Sequence, residues 1–172
     1  MRDAMVALQQ RGFDSAALVH RHERSFRTLK DDFIASGHRF RVIRTGRWAH
    51  LLFTPISPLL PWHLRRLIKS FQPNILHLHL PNPAVFWVLA LVSARRVPWV
   101  VHWHADVITA QQGGLMSLVY QLYKPFEQAV LKRSNSIVVT SRAYLDASVP
   151  LREFQAKCHV VPLGVDVKRL GG

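Results

Sequence analysis

Segments typical of β-strands alternate along this chain with segments typical of α-helices, and this alternation limits the folds that the chain can adopt. Residues 39–44, RFRVIR, alternate polar and apolar side chains with the period of a half-buried strand. The series predicts an α/β protein with a doubly wound, Rossmann-like parallel sheet covered by helices on both faces. We expect strands over 13–19, 39–44, 74–80, 98–103, 136–141 and 158–164, and helices over 1–10, 23–37, 62–71, 82–94, 115–133 and 142–154.

The order of the first elements is unusual for this class, because the chain opens on a helix that ends at Arg11 and Gly12. A doubly wound domain normally opens on its central strand, which leads into a glycine-rich turn. We therefore expect a sheet that lacks its first strand, in a domain that is incomplete at its N-terminus. Such a sheet leaves two apolar strand edges unpaired or forces the flanking strands together, and we expect marginal stability and self-association.

The composition restricts the partners and the compartment. Lys and Arg number 23 against 10 Asp and Glu, and the net charge of +13 favours an anionic membrane surface or a phosphorylated substrate. The chain carries no recognised nucleic-acid-binding motif, so we expect no nucleic-acid partner. Cys158 is the only cysteine, which excludes an intrachain disulfide and a thiolate metal cluster and fits a reducing compartment. The longest nearly pure apolar stretch, residues 84–92, is too short to cross a bilayer, and we expect a soluble or peripheral domain.

Two His-x-His pairs lie near the ends of predicted strands, in ILHLHLPNPAV and VHWHAD. Because residues two apart on a strand share a face, His77 and His79 are co-facial, as are His102 and His104. Both pairs lie near the carboxyl edge, where open α/β sheets bind ligands. The nearest carboxylate is Asp106, and this ligand set suits no closed metal site, so we expect no bound metal.

The histidines nevertheless leave more than one interpretation open. His77 fits a buried structural residue, whereas His79 and His104 fit a structural and a functional role equally well. A metal-dependent hydrolase that uses the pairs is an alternative function. After His79, Asn82 caps a helix whose first turn holds Pro83, and its unbonded N–H groups suit phosphate or hydroxyl oxygens. The polar segment ADVITAQQGG after His104 is typical of a mobile binding loop, and together these features favour a polyhydroxyl or phosphorylated ligand.

Four segments, in order, resemble motifs of the family 4 glycosyltransferases of the GT-B fold. QPNILHLHLPNP is similar to the family's rPDvvHvHnPnP, and VVHWHADV is similar to its vvTwHsDi. SIVVTSRAYLDAS resembles the last strand and helix of the N-terminal half, and KCHVVPLGVD resembles the vipnGvD hinge. The resemblance covers nearly the whole chain with family-like spacing. It implies the N-terminal, acceptor-binding half of a GT-B enzyme.

The resemblance also implies an activity and its residues. Residues 1–162 would form the acceptor-binding domain and residues 163–172 the interdomain hinge of a retaining, metal-independent transferase that needs no cofactor. The donor, a nucleotide-sugar, would bind to a second domain, and the acceptor would be a sugar or a lipid-linked sugar. The position of His104 implies contact with the transferred sugar. Further positions match the acceptor side or the hinge: His79, Asn82, Asp106, Ser141 and Arg142 for the acceptor, and Gly164 and Asp166 for the hinge.

The chain departs from the family pattern in three places. The first strand with its glycine-rich loop and the second domain are absent from the sequence, and Leu163 stands where the family commonly has Asn. We therefore expect the chain to be inactive alone.

One predicted helix bears on localisation. PWHLRRLIKSFQP places Trp62 and leucines among Arg65, Arg66 and Lys69. This stripe either packs on the sheet, which we favour, or binds an anionic membrane. A non-catalytic, basic membrane-binding domain is thus a second alternative function. We expect a cytoplasmic location, with a peripheral position on the cytoplasmic membrane face in the membrane-binding case.

Overall fold

The structure is a computed structural model, and it describes residues 2–51, 54–107, 114–162 and 164. The chain divides into two compact units, residues 1–73 and residues 74–172. Both units contain parallel strands together with helices, so the predicted α/β class with a Rossmann-like parallel sheet is confirmed. The division into a domain over residues 1–162 and a hinge over residues 163–172 stays a prediction.

A four-stranded sheet forms the base of the first unit. Strand β1 pairs in parallel with β4, and two short strands, β2 and β3, pair with β4 in the antiparallel direction. The side chains of Met5, Phe40 and Val42 are buried together against this sheet. The elements are α1 (Arg2–Gln9), β1 (Ala16–Arg24), β2 (Leu29–Lys30), β3 (Phe33–Ala35) and β4 (His38–Arg47).

The helix predicted over residues 23–37 is wrong, because β2 and β3 occupy this segment. Ser36 and Gly37 both have positive φ, 51° and 76°, so the chain turns sharply between β3 and β4. Two central residues with positive φ are typical of the tightest hairpin turns. The rings of Phe33 and Phe40 stack across the hairpin with centroids 4.7 Å apart. The predicted first strand is also displaced, since β1 begins at Ala16 and continues through the charged residues after Val19.

The first unit ends with a small hairpin and a helix. Strands β5 and β6, in a segment where no strand was predicted, pair in the antiparallel direction. Helix α2 begins two residues earlier than predicted, with Pro61 in its first turn, and Gln72 closes it in the left-handed conformation. The elements are β5 (Ala49–Leu51), β6 (Thr54–Ile56) and α2 (Leu60–Phe71).

The second unit is built on a four-stranded parallel sheet in the order β7, β8, β9, β10. The strands follow one another across the sheet in a single direction, and helical segments connect them. The strands are β7 (Leu76–Leu80), β8 (Trp99–Trp103), β9 (Ser136–Val139) and β10 (Cys158–Val160). The helices are α3 (Trp87–Ala90), α4 (Val92–Arg95), α5 (Leu115–Arg133) and α6 (Arg142–Ala147), and 3-10 helices span Pro83–Phe86 and Arg152–Lys157.

Two predicted helices of this unit are interrupted. The helix predicted over residues 82–94 is divided into three short pieces, because Leu91 leaves the helical conformation with ψ 114°. No glycine or proline marks that break in the sequence. The helix predicted to continue to residue 154 ends at Ala147, since Pro150 disfavours helical backbone at the residue before it. By contrast, α5 spans the predicted residues 115–133.

The two faces of the second sheet differ in burial. Leu80, Val101 and Trp103 alternate with less buried neighbours and are fully buried, as are Ile137 and Val139. Parallel crossovers are right-handed, so strands that advance in one direction place their connecting helices on the same face. That face carries the core of the unit.

The outer strands of the two sheets are edges. Among the described residues, β1 pairs with β4 alone and β7 pairs with β8 alone. In the part of the chain that the structure describes, no helix has the length and apolar character needed to cross a membrane.

Candidate functional site

The histidine pairs meet where β7 and β8 end. The parallel register places His79 opposite His102, one position before the pair Leu80 and Trp103. The pairing extends past β8, because the His104 backbone N–H donates to the Leu80 carbonyl oxygen over 2.9 Å. Since alternate residues share a face, all four imidazoles project from the same side of the sheet, as the sequence predicts for each pair.

The four imidazoles form a stacked group, which we call the histidine cluster (His77, His79, His102 and His104). The ring centroids of His102 and His104 are 4.3 Å apart, and those of His79 and His104 are 5.1 Å apart, with planes inclined by 12° and 9°. His79 Nδ1 and His104 Nε2 are 2.8 Å apart and share a hydrogen bond. A neutral pair satisfies this contact, because one ring donates its N–H to the bare nitrogen of the other.

Local electrostatics keep the histidine cluster uncharged at neutral pH. Loss of water around its ring, followed by repulsion from His77 and His104, lowers the pKa of His79 to about 4. Partial loss of water is also the main cause of the lowered pKa of His77, His102 and His104, whose rings keep part of their contact with solvent. Each neutral imidazole presents one N–H donor and one lone pair. The cluster can therefore hydrogen-bond hydroxyl groups as both donor and acceptor.

The expectation that His77 is a buried structural residue is wrong, because its side chain is exposed. The sequence argument assumed helices on both faces of the strands. The helices of this unit instead lie on the face opposite to the histidines, so the unit itself leaves His77 and His79 uncovered.

The loop after β7 is closed more tightly than the sequence suggested. Asn82 caps the 3-10 helix as expected, and its side chain accepts a hydrogen bond from the Ala84 N–H over 3.1 Å. Its carbonyl oxygen accepts the Val85 N–H, and Pro83 has no N–H. The expectation of unbonded N–H groups at this helix start is therefore wrong for Ala84 and Val85, whose N–H groups are both bonded to Asn82.

Asp106 lies after β8 and holds part of the unit together. Its Oδ1 atom accepts hydrogen bonds from Trp103 Nε1, Tyr144 Oη and Ser148 Oγ, at 2.9, 2.6 and 2.7 Å. Trp103 is fully buried, and the other two donors belong to α6 and its C-cap. Asp106 thus ties the end of β8 to α6. An acceptor-binding role for this residue stays a prediction.

The remaining predicted site residues are Ser141, Arg142, Gly164 and Asp166. Ser141 caps α6 and accepts the Tyr144 N–H, while Arg142 forms an exposed ion pair with Asp146. Gly164 is exposed, and its φ lies outside the left-handed range. Asp166 lies outside the described residues, as does most of the ADVITAQQGG segment.

Sequence reasoning missed a buried carboxyl group on α5. Glu127 is fully buried, Tyr120 Oη donates to its Oε1 over 3.2 Å, and its Oε2 has no hydrogen-bond partner among the described residues. Removal from water, together with the charge of Asp106, raises the pKa of Glu127 to about 7. The signal was present, because Glu127 occupies the same helical stripe as Tyr123 and Val130, four and three residues away.

Helix α2 divides its apolar residues between two environments. Leu67 and Ile68 are buried, as expected for a stripe that packs on a sheet. Trp62 is instead 53% exposed, and the Arg66 guanidinium lies 5.2 Å from the centre of its ring.

Comparison with known proteins agrees with the motifs. The family model described as Glycosyltransferase Family 4 matches residues 1–169. The O-antigen chain mannosyltransferase C of Escherichia coli is 32% identical over 127 residues, which cover 73% of this chain and 32% of that protein. The match thus spans about a third of the relative's length. The chain belongs to Glycosyltransferase Family 4, as its resemblance to that family predicted.

Proposed function

We propose that this chain is the acceptor-binding part of a glycosyltransferase that moves a hexose from a nucleotide-sugar to a sugar or lipid-linked sugar, with retention at the anomeric carbon. Family membership and a relative named as a mannosyltransferase support glycosyl transfer in general, and mannose is the first sugar to test. In this proposal the donor binds to a further domain. The isolated chain therefore binds sugar without turning it over.

The observation that carries the proposal is the hydrogen-bonded pair His79 and His104 at the carboxyl edge of a parallel sheet. Ligands of open α/β sheets bind at this edge. Both rings have a lowered pKa and are neutral at pH 7, so each offers a donor and an acceptor to a hydroxyl group. A charged imidazolium would offer donors alone.

In the reaction, His104 would orient a hydroxyl of the transferred sugar through an imidazole nitrogen, and His79 would fix the orientation of the His104 ring. The 2.8 Å contact couples the two rings, because only one of His79 Nδ1 and His104 Nε2 carries the shared proton. The role of His79 is therefore one of positioning.

Imidazole NMR on the chain itself tests the binding step. Chain labelled with 15N at histidine is titrated, in chelator-treated buffer, with methyl α-mannoside to about 50 mM, a range that detects millimolar affinity. We expect the ring signals of His79 and His104 to move together and to saturate. Glycerol at the same concentration supplies hydroxyl groups without the sugar ring and serves as the ligand control.

His159 provides the internal control, because it lies on β10, the far strand of the same sheet, and is exposed. Its signals should stay unchanged through the titration. The proposal fails if methyl α-mannoside leaves the His79 and His104 signals in place. It also fails if the His159 signals move as far as those of His79 and His104, or if glycerol moves the His79 and His104 signals as far as methyl α-mannoside does.

We also propose a peripheral position on an anionic membrane for the enzyme, through α2. Trp62 and the exposed Arg65, Arg66 and Lys69 carry this proposal. Each basic residue near such a surface contributes about 1 kcal/mol. Sedimentation with anionic vesicles should fall when Arg65 and Arg66 are changed to Glu, while neutral vesicles bind neither protein. Equal sedimentation of the two proteins with anionic vesicles would contradict the membrane role.

A further inference from the structure

Two arginines lie side by side where the parallel strands of the first unit end. The register of β1 with β4 pairs Arg24 with Arg47, and each is the last residue of its strand. Like charges directly opposite each other on neighbouring strands destabilise a sheet. Because β1 and β4 are parallel, both residues lie at the carboxyl edge of the sheet, where open α/β sheets bind ligands.

The chain that follows β1 holds the Arg24 guanidinium at the end of β4. The Arg24 Nε atom donates to the Trp48 carbonyl oxygen over 3.1 Å, and both Arg24 Nη atoms have no hydrogen-bond partner among the described residues. The Ser25 N–H donates to the Arg47 carbonyl oxygen over 2.9 Å. The Ser25 backbone also lies against Gly46, where a Cβ atom would be 2.8 Å from its carbonyl oxygen. These contacts position the free end of Arg24 beside the end of β4.

Arg47 is a half-buried cation without a counterion. Within the described residues its guanidinium has neither an ion pair nor a hydrogen bond. Residues 1–73 contain thirteen Lys and Arg against five Asp and Glu, and three of these five carboxylates bind other arginines. Because a cation held partly out of water without a partner costs free energy, a bound anion would stabilise Arg47. The ion pairs are Asp31 with Arg2 and Arg44, Asp32 with Arg39, and Glu23 with Arg21.

His20 lies near enough to Arg47 to sense its charge. Burial, followed by the charge of Arg47, lowers the pKa of His20, so the ring is neutral at pH 7 and adds no further positive charge. His20 Nδ1 and Ser57 Oγ are 2.8 Å apart and share a hydrogen bond, which holds the ring in place. The His20 ring can therefore report an anion that binds at Arg47.

We propose that Arg24 and Arg47 bind the phosphate group of a phosphate monoester. A guanidinium binds phosphate oxygens through paired hydrogen bonds, and two guanidinium groups match the charge of a phosphate dianion. The net charge of the sequence favoured a phosphorylated substrate or an anionic membrane without a location. This site lies in the first unit and the histidine cluster lies in the second, so the inference does not depend on the proposed sugar-binding role.

A phosphate titration of chain labelled with 15N at histidine tests the site. Inorganic phosphate is added to about 50 mM at constant ionic strength, a range that detects millimolar affinity. We expect the His20 ring signals to move and to saturate, while those of His159, in the second unit, stay unchanged. Arg24→Gln and Arg47→Gln should each weaken phosphate binding at least about tenfold, equal to about 1.4 kcal/mol.

Arg11→Gln is the matched control variant. Arg11 is an exposed arginine of the same unit and precedes the amino end of β1, whereas Arg24 ends that strand. The control removes the same charge and should bind phosphate as wild type does. Arg47→Lys keeps the charge but not the paired hydrogen bonds, so it should also weaken binding. It replaces Arg47→Gln if circular dichroism shows that the glutamine variant is not folded.

Two soluble monoesters distinguish the sources of the phosphate group. Mannose 6-phosphate represents a free phosphorylated sugar, and dihexanoyl phosphatidic acid represents a lipid headgroup; the ester that moves the His20 signals at the lower concentration identifies the source. The proposal is overturned if inorganic phosphate leaves the His20 signals in place. It is also overturned if Arg11→Gln loses as much affinity for phosphate as Arg24→Gln and Arg47→Gln.

Discussion

Glu127 should make the stability of the second unit depend on pH. The side chain is fully buried on α5, and Tyr120 is the hydrogen-bond donor to one of its oxygens. Burial raises the pKa of Glu127 from 4.5 to about 7, so the folded chain holds a proton that the unfolded chain releases. Stability from this residue is therefore complete below pH 4.5 and is lost as the pH rises through about 7.

The size of the effect follows from the two pKa values. A difference of one pH unit corresponds to about 1.4 kcal/mol, and the rise from 4.5 to about 7 corresponds to about 3 kcal/mol in all. Because part of this loss already occurs at pH 5, the fall between pH 5 and pH 8 amounts to about 2.5 kcal/mol. Glu127→Gln keeps the acceptor for Tyr120 and cannot ionise, so it should remove this fall.

Urea unfolding of wild type and Glu127→Gln at pH 5, 6, 7 and 8 measures the difference. Subtracting the unfolding free energy of one protein from that of the other at each pH cancels the contributions of the other titratable groups. We expect similar stability at pH 5 and a variant more stable by about 2–3 kcal/mol at pH 8. Glu153→Gln, at an exposed glutamate, is the control and should show a constant difference. If the difference in unfolding free energy between wild type and Glu127→Gln changes by less than about 1 kcal/mol from pH 5 to pH 8, the proposed pH dependence is refuted.

Three further predictions follow from particular contacts. Gly46→Ala should destabilise the first unit by about 1–3 kcal/mol in urea unfolding, because the new Cβ would lie 2.8 Å from backbone atoms of Phe26. Asp106→Ala should cost about 2–3 kcal/mol, since three donors, one of them on the buried Trp103, lose their acceptor. In a 15N titration with chelator present, His79 should have its midpoint at about pH 4, and the stability that its neutral form contributes should fall as the pH drops from 6.5 to 4.

Each of these three predictions has an outcome that would contradict it, and the two substitutions also have matched control variants. For Gly46→Ala the control is Gly164→Ala, where no atom of the described residues lies within 4 Å of the added Cβ; equal stability of the two variants would contradict the close approach at Gly46. For Asp106→Ala the control is Asp146→Ala, which removes an exposed ion pair. An equal loss of stability in the two variants would contradict the importance of the hydrogen bonds to Asp106. A His79 midpoint near 6.5 would show that the neighbouring rings do not displace water as described.

The sequence predicted the α/β class and the strands of the second unit because their apolar runs are short and end at recognisable turns. It failed over residues 23–37, where a helical spacing of apolar residues concealed two short strands. Ser36 and Gly37 carried the decisive information, since a positive φ at both positions closes a hairpin. The break at Leu91 had no sequence signal.

The histidine cluster was predictable in part. Strand periodicity placed each pair on one face, but the register that brings His79 opposite His102 depends on pairing between distant segments. The exposure of His77 depends on which face the connecting helices cover, and that follows from the strand order. Two of the three partners of Asp106, Tyr144 and Ser148, come from α6 and its C-cap, about 40 residues away, and no local pattern identifies them.

The central claim is that His104 contacts the sugar transferred by a family 4 enzyme, and turnover tests it most directly. In a protein that joins this chain to a donor-binding domain of the family, we would measure transfer of labelled mannose from its nucleotide-sugar. His104→Ala should lower kcat by about 100-fold or more, as expected for the loss of a hydrogen bond made at the reacting sugar, with an unchanged thermal transition. His77→Ala should retain turnover. A His104→Ala enzyme that turns over within about twofold of wild type would contradict the account.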